Sequence, residues 1–174
     1  LGPDIQAAFV ESLRASYPNI DDFNKEFGMD YCSNKVGRWE AFPDISGTIN
    51  ASLSGAYKRF LRECVTDFLN WQSEIIREYI DKSQFITHNF SLAKTNCRNG
   101  INPDVDFKLA GRCLDVAGID IYHPTQDELT GSEIAFGGAL ARAIKNSNYL
   151  LLETQSQGQL KYLPYPGQLR MHAY

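Results

Sequence analysis

Apolar side chains recur at two different periods along this chain, and the change of period divides it. Ile5, Phe9, Val10 and Leu13 fall at helical spacing until Tyr17-Pro18-Asn19 ends the pattern, which predicts a helix over residues 5–17. A short helix is expected from Ile20 to Phe27. Asp21 and Asp22 lie in its first turn, where the dipole favours them, and Gly28 suits the left-handed position that follows. Met29 to Leu53 shows no sustained period, and a loop of that length inside a compact fold points to a functional segment. The strongest helical pattern comes next. Tyr57, Phe60, Leu61, Cys64, Val65, Phe68, Leu69, Ile75, Ile76 and Tyr79 form one apolar face, opposed by Lys58, Arg59, Arg62, Glu63, Asp67 and Glu74, with Ser52 or Ser54 available as a cap.

Beyond residue 80 the period shortens. Gln84–His88, Val116–Tyr122 and Tyr149–Leu152 are brief, mostly apolar runs, each followed by polar or aromatic residues. A helix over about residues 104–112 separates the first two, and a stronger one from Ser132 to Lys145 separates the second and third. Buried strands alternating with amphipathic helices indicate an α/β fold with a parallel sheet. Three parallel strands leave both edges open, whereas a closed barrel of eight needs roughly 250 residues. The expectation is therefore part of a (β/α)₈ (TIM) barrel rather than a complete small domain. The start Leu1-Gly2-Pro3-Asp4 has neither a Met nor a signal-peptide pattern, which fits the same expectation.

Composition narrows the function classes. With 17 Lys+Arg against 21 Asp+Glu, the net charge of −4 gives no electrostatic reason to bind nucleic acid or an anionic membrane. No apolar run is long enough to span a bilayer. Cys32, Cys64, Cys97 and Cys113 have neither zinc-site spacing nor the density of a disulfide scaffold, and they read as reduced thiols of a cytoplasmic protein. His88, His123 and His172 do not fall at ligand spacing, so no metal and no cofactor is assigned. Phosphate-cradling glycine loops and a Gly-x-Ser-x-Gly elbow are missing from the sequence. Two sequons, Asn50-Ala51-Ser52 and Asn89-Phe90-Ser91, carry little weight.

Glu153 follows the run Tyr149–Leu152 directly, which puts a carboxylate at the C-terminal mouth of a strand, where α/β folds build their sites. It either turns out to solvent or has a chemical task. The neighbouring Thr154, Gln155, Gln157, Tyr162 and Tyr165 supply hydrogen-bonding groups and aromatic faces, a combination suited to sugars. Asp120 and Tyr122, two apart, share a face of their strand. Asp120 can be structural or catalytic on position alone, and His88-Asn89-Phe90 is equally open.

Several segments in order resemble glycoside hydrolase family 42 β-galactosidases. They are Asp22–Tyr31, Gly47–Asn50, Phe68–Gln72, Thr87–Phe90, Ile119–Pro124, Leu152–Gln155 and Pro164–Arg170. The resemblance implies barrel strands 5, 6 and 7, preceded by the helices and long loop (residues 1–55) that follow strand 4, with residues 56–174 forming βα units of one catalytic domain. It implies a retaining hydrolase of terminal β-D-galactosides with Glu153 as nucleophile, and Tyr122, Asn89, Tyr162 and Asp120 as substrate-binding residues. A homotrimer and a galactoside substrate are further implied. The family's acid/base glutamate stands in an Asn-Glu pair, and no such pair occurs in these 174 residues. The isolated chain is accordingly expected to be inactive. Cys32 replaces a Trp usual in the family, and Tyr162-Leu163-Pro164 replaces a Trp-x-Pro. The alternative is a non-catalytic carbohydrate-binding or interaction domain derived from a barrel.

Overall fold

The computed structural model describes residues 3–31, 34–91, 105–154 and 162–173. The chain forms two compact units, Leu1–Glu63 and Cys64–Tyr174.

In the first unit, α1 (Pro3–Ser16) and α2 (Ile20–Glu26) match the sequence pattern, and Asn19 caps α2 by accepting from the Asp21 N–H at 3.1 Å. Phe9, Leu13, Phe23, Met29, Val36, Ile45, Leu53 and Tyr57 form the core. The aperiodic loop is ordered by side-chain amides rather than by a ladder. Asn24, fully buried, donates through Nδ2 to Ile20 O and Val36 O and accepts from Val36 N through Oδ1, each at 2.9 Å. Gln6 accepts from Ile45 N at 3.1 Å and donates to Pro43 O at 3.3 Å. These bonds satisfy backbone groups that no regular element serves. The long helix α3 (Ala51–Arg77) is capped by Asn50, whose Oδ1 accepts from Leu53 N at 2.9 Å, and not by Ser52 or Ser54 as expected. The helix begins one residue before Ser52, which puts both serines inside it.

The second unit holds the sheet. Strands β1 (Asn89–Ser91), β2 (Ala117–Ile121) and β3 (Tyr149–Thr154) pair in parallel in the order β1-β2-β3. The helical segments between them are α4 (Phe107–Ala110), continued by a tighter turn over Gly111–Cys113, and α5 (Ser132–Lys145); α6 (Gln168–His172) ends the described chain. Phe90, Ala117, Ile119 and Ile121 of the sheet pack with Phe107, Ala110, Leu114, Ala141 and Ile144. One side of the sheet is thus sealed by helices, and the other carries Asn89 and Asp120 beside Leu150 and Leu152.

Three expectations need correction. The first strand begins at Asn89, not Gln84. Ile86 O accepts from Asp115 N at 2.9 Å, but the ladder with β2 starts only where Asn89 meets Gly118. The run Tyr149–Leu152 is not buried: Leu151 is 48 % exposed, because β3 lies at the sheet's edge while β2, in the centre, is buried throughout. The apolar face of α3 is only partly used. Within the second unit the stripe Leu69, Ser73 and Arg77 makes the contacts. Ser73 Oγ donates to Cys113 O at 3.1 Å, and Arg77 pairs with Asp115 at 3.0 Å, while Phe68 and Trp71 remain more than half exposed. The Arg77 guanidinium, helped by the Ile86 N–H, holds the Asp115 carboxyl below its ordinary range. No described helix is long and apolar enough to cross a membrane.

Candidate active site

The register of the sheet decides which side chains meet. Asn89 pairs with Gly118, Ser91 with Asp120, and Ala117 through Ile119 with Tyr149 through Leu151. The pairing then slips: Asp120 faces Glu153 and Leu152 is skipped. A bulge of this kind re-aims the side chains that follow it. Without it, Asp120 would face a leucine. With it, Glu153 joins Asn89, Asp120 and Tyr122 on the face opposite the helices.

Both oxygens of Glu153 are held. Asn89 Nδ2 donates to Oε1 at 3.0 Å, and Tyr122 OH donates to Oε2 at 2.6 Å. Asn89 reaches Glu153 from two strands away, and its partner in the ladder, Gly118, sits where the chain is closely packed. A methyl group at 118 would meet Leu152 Cδ1, His88 O at 2.6 Å and Thr87 Oγ1 at 2.7 Å. The hydrogen bond to Glu153 is the main reason the Tyr122 phenol is raised above its ordinary value, so it stays a donor.

Asp120 is 5 % exposed, and its Oδ1 has no hydrogen-bond partner among the described residues. Burial first, and then the charge of Glu153, push its carboxyl upward, and the amide of Asn89 offsets part of this. Two carboxyl groups therefore stand on one face, one exposed and doubly hydrogen-bonded, the other enclosed and biased toward keeping its proton.

The loop after β2 extends the site. His123, 1 % exposed, donates from Nδ1 to Pro124 O at 2.7 Å in the tautomer that the carbonyl requires, and its Nε2 lies 3.5 Å from Thr154 Oγ1. Thr125 Oγ1 donates to Tyr162 O at 2.6 Å. Tyr162, expected at the site, is tied to this loop through its carbonyl, with its ring about half exposed. Gln155, Gln157, Cys32 and Cys97 lie outside the described residues.

Both sequon asparagines use their side-chain nitrogens: Asn89 on Glu153, and Asn50 on Phe27 O at 2.6 Å. Among the described residues, no group of three His, Cys, Asp or Glu side chains could hold a metal ion.

Sequence pattern missed the bulge, the buried His123 and the roles of Thr125, Gln126 and Gln168. The bulge leaves no mark in a run of three leucines. Gln168 stands in a segment already singled out, Pro164–Arg170, whereas Gln126 lies just beyond Ile119–Pro124.

The chain is 28 % identical to the beta-galactosidase LacZ of Lactobacillus acidophilus over 94 % of its own length, and 29 % identical to the beta-galactosidase BgaA of Clostridium cellulovorans over 93 %. It spans about a quarter of each of these relatives, 25 % in both cases. A crystal structure of beta-galactosidase from the psychrophilic Marinomonas ef1 superposes on 99 % of the chain with a TM-score of 0.78 at 20 % identity, using 28 % of that structure, and so shares its fold. The profile of glycoside hydrolase family 42, described as beta-galactosidase, matches residues 1–174. A match over the full length means that this chain belongs to glycoside hydrolase family 42.

Proposed function

We propose that the chain contributes barrel strands 5 to 7 of a retaining β-galactosidase, with β1, β2 and β3 as those strands and Glu153 as the nucleophile. Both units belong, on this reading, to one catalytic barrel domain. The observation that carries the proposal is the double anchoring of Glu153, by Asn89 at 3.0 Å and Tyr122 at 2.6 Å, at the C-terminal end of a parallel strand. Two donors, one on each oxygen, fix the plane of the carboxylate, which is what a nucleophile aimed at one carbon requires.

A retaining mechanism follows. Glu153 attacks the anomeric carbon as a second carboxylic acid, about 5 Å away, protonates the departing oxygen; water then hydrolyses the glycosyl-enzyme with that second group as base. No Asn-Glu pair of the family's acid/base type occurs in these 174 residues, so the second group comes from elsewhere in a longer polypeptide. Asn89 and Tyr122, released in part from Glu153 as it becomes an ester, are placed to bond a sugar hydroxyl. Asp120 sits on the same face as a further hydroxyl partner, and Tyr162 offers an aromatic face to the ring. The relatives' names support a terminal β-galactoside as substrate, and the family resemblance supports a homotrimer. The acidic balance supports action on a neutral sugar rather than a polyanion, and cysteines without disulfide-framework spacing support a place in the cytoplasm.

A 2-fluoro-galactoside that traps the glycosyl-enzyme, mapped by mass spectrometry on the complete polypeptide, tests the assignment. Label on Glu153 is expected; label on any other residue overturns it. The isolated 174-residue chain should turn over no nitrophenyl galactoside, and turnover abolished by Glu153→Gln would contradict that.

A further inference from the structure

Gln126 adopts φ +55°, a left-handed conformation that costs any side chain other than glycine. Such a conformation persists where the surroundings over-determine it, and it marks functional loops. Here the surroundings are a second glutamine. Gln168 Oε1 accepts from Gln126 N at 2.9 Å, and Gln168 Nε2 donates back to Gln126 O at 3.1 Å. The Gln126 side chain in turn donates to Leu163 O at 2.8 Å. Three further bonds run alongside. Thr125 Oγ1 donates to Tyr162 O at 2.6 Å, Tyr165 N donates to Gln168 Oε1 at 3.1 Å, and Tyr165 OH donates to Asp127 Oδ2 at 3.1 Å.

Residues 162–167 belong to no helix or strand. Their backbone is held instead by Thr125 and Gln126, which follow within four positions of Tyr122, the donor to Glu153. The loop after β2 and residues 162–168 are therefore one hydrogen-bonded body beyond the C-terminal end of β2. It carries two half-exposed aromatic rings, Tyr162 and Tyr165.

We propose that Gln126 and Gln168 form a positioning clamp that fixes the 162–165 segment as an aromatic wall of the sugar site, so that the pair sets substrate affinity rather than the rate of the chemical step. The inference rests on the reading of Glu153 as the group that meets the sugar. Neither glutamine touches the reacting atoms. A wall held in place before the sugar arrives avoids the cost of ordering it on binding, and loss of the clamp returns that cost as weaker binding.

Two variants of the complete polypeptide separate positioning from simple stabilisation. Gln168→Ala removes both bonds to Gln126 and the one from Tyr165. Gln126→Gly relieves the left-handed strain and keeps both backbone bonds to Gln168, but cuts the bond to Leu163 O. With a nitrophenyl galactoside, KM should rise about tenfold in Gln168→Ala, the size expected for one loosened, rotamer-rich contact region, with kcat within about twofold. Gln126→Gly should also raise KM while melting no lower than the parent, so that affinity and stability move in different directions. An unchanged KM in both variants, or a kcat that falls in step with the melting temperature, overturns the clamp. Labelling by the fluoro-sugar is run on the parent in parallel: label away from Glu153 defeats the assignment of the nucleophile but leaves the KM comparison valid. If the parent hydrolyses no galactoside, the readout is protection of residues 162–168 from hydrogen exchange by added galactose. Protection lost in Gln168→Ala supports the clamp, and no protection in the parent overturns it.

Discussion

Gly118→Ala tests the geometry of the site most directly, because one added carbon meets the backbone carbonyl of the residue before β1 and a side chain of β3. The new Cβ would lie 2.6 Å from His88 O and 2.7 Å from Thr87 Oγ1, in addition to Leu152 Cδ1, whereas ordinary contact begins near 3.4 Å. Thr87 and Leu152 can turn aside. The carbonyl of His88 is backbone and must withdraw by about 0.8 Å, the difference between 3.4 and 2.6 Å. Asn89 is the next residue, and its bond to Glu153 Oε1 is 3.0 Å long. Adding that displacement stretches it to about 3.8 Å, beyond hydrogen-bonding reach. Overpacking of this kind costs about 1–3 kcal/mol. The functional effect should exceed what that destabilisation explains, since a displacement on the order of 1 Å in a reacting group can cost roughly a hundredfold in rate. The assay is the second-order rate of Glu153 labelling by a 2-fluoro-galactoside on the complete polypeptide, read well below the melting temperature. A fall of one to two decades is expected. A labelling rate equal to the parent's would refute the argument that close packing at Gly118 fixes Asn89 against Glu153.

Tyr122→Phe should lower kcat more than it raises KM and leave the melting temperature nearly unchanged, because it deletes one oxygen at an exposed carboxylate; an unaltered kcat would mean that the 2.6 Å bond has no part in turnover. Glu153→Gln should let the phenol of Tyr122 ionise closer to its ordinary pKa of 10.0, since its principal acceptor loses charge, and ultraviolet difference titration reads this directly. Asp120 is raised in the folded chain by burial and by Glu153, so its contribution to stability is complete below the ordinary 3.8 and is lost as pH rises through the raised value. Asp120→Asn should therefore gain on the parent in melting temperature as pH climbs from about 4 towards neutrality, and a difference independent of pH would contradict the shift. Asn24→Leu strands the buried N–H and C=O of Val36 and should cost about 2–4 kcal/mol, seen as faster hydrogen exchange at the Val36 amide.

Much of the fold could be read from period alone. The helix Ser132–Lys145 is found with the bounds its pattern predicts, and α1 and α2 differ from expectation by only one or two residues. Periodicity succeeds there because each helix buries one stripe, and the stripe is what a pattern reports. It overstates burial in α3 and β3 for the same reason. An apolar residue signals that a position can be buried, not that anything within this chain covers it. Phe68, Trp71 and Leu151 are apolar and exposed together.

The site was legible where side-chain chemistry is local and hidden where pairing decides. Glu153, Asn89, Asp120 and Tyr122 stand in three separate segments, and each shows its capacity in its own neighbourhood. What brings them together is register. The skipped Leu152 moves Glu153 from the helix-facing side to the face of Asp120, and one residue of slip in a strand exchanges its two faces. A regular β3 with the same sequence would present Leu152 to Asp120 and turn the carboxylate away from Asn89 and Tyr122. The bonds at 3.0 and 2.6 Å to Glu153 are thus also part of what holds the bulge open, because a regular register would forfeit both donors. Placement of the carboxylate and irregularity of the strand are one feature, and neither can be changed without the other.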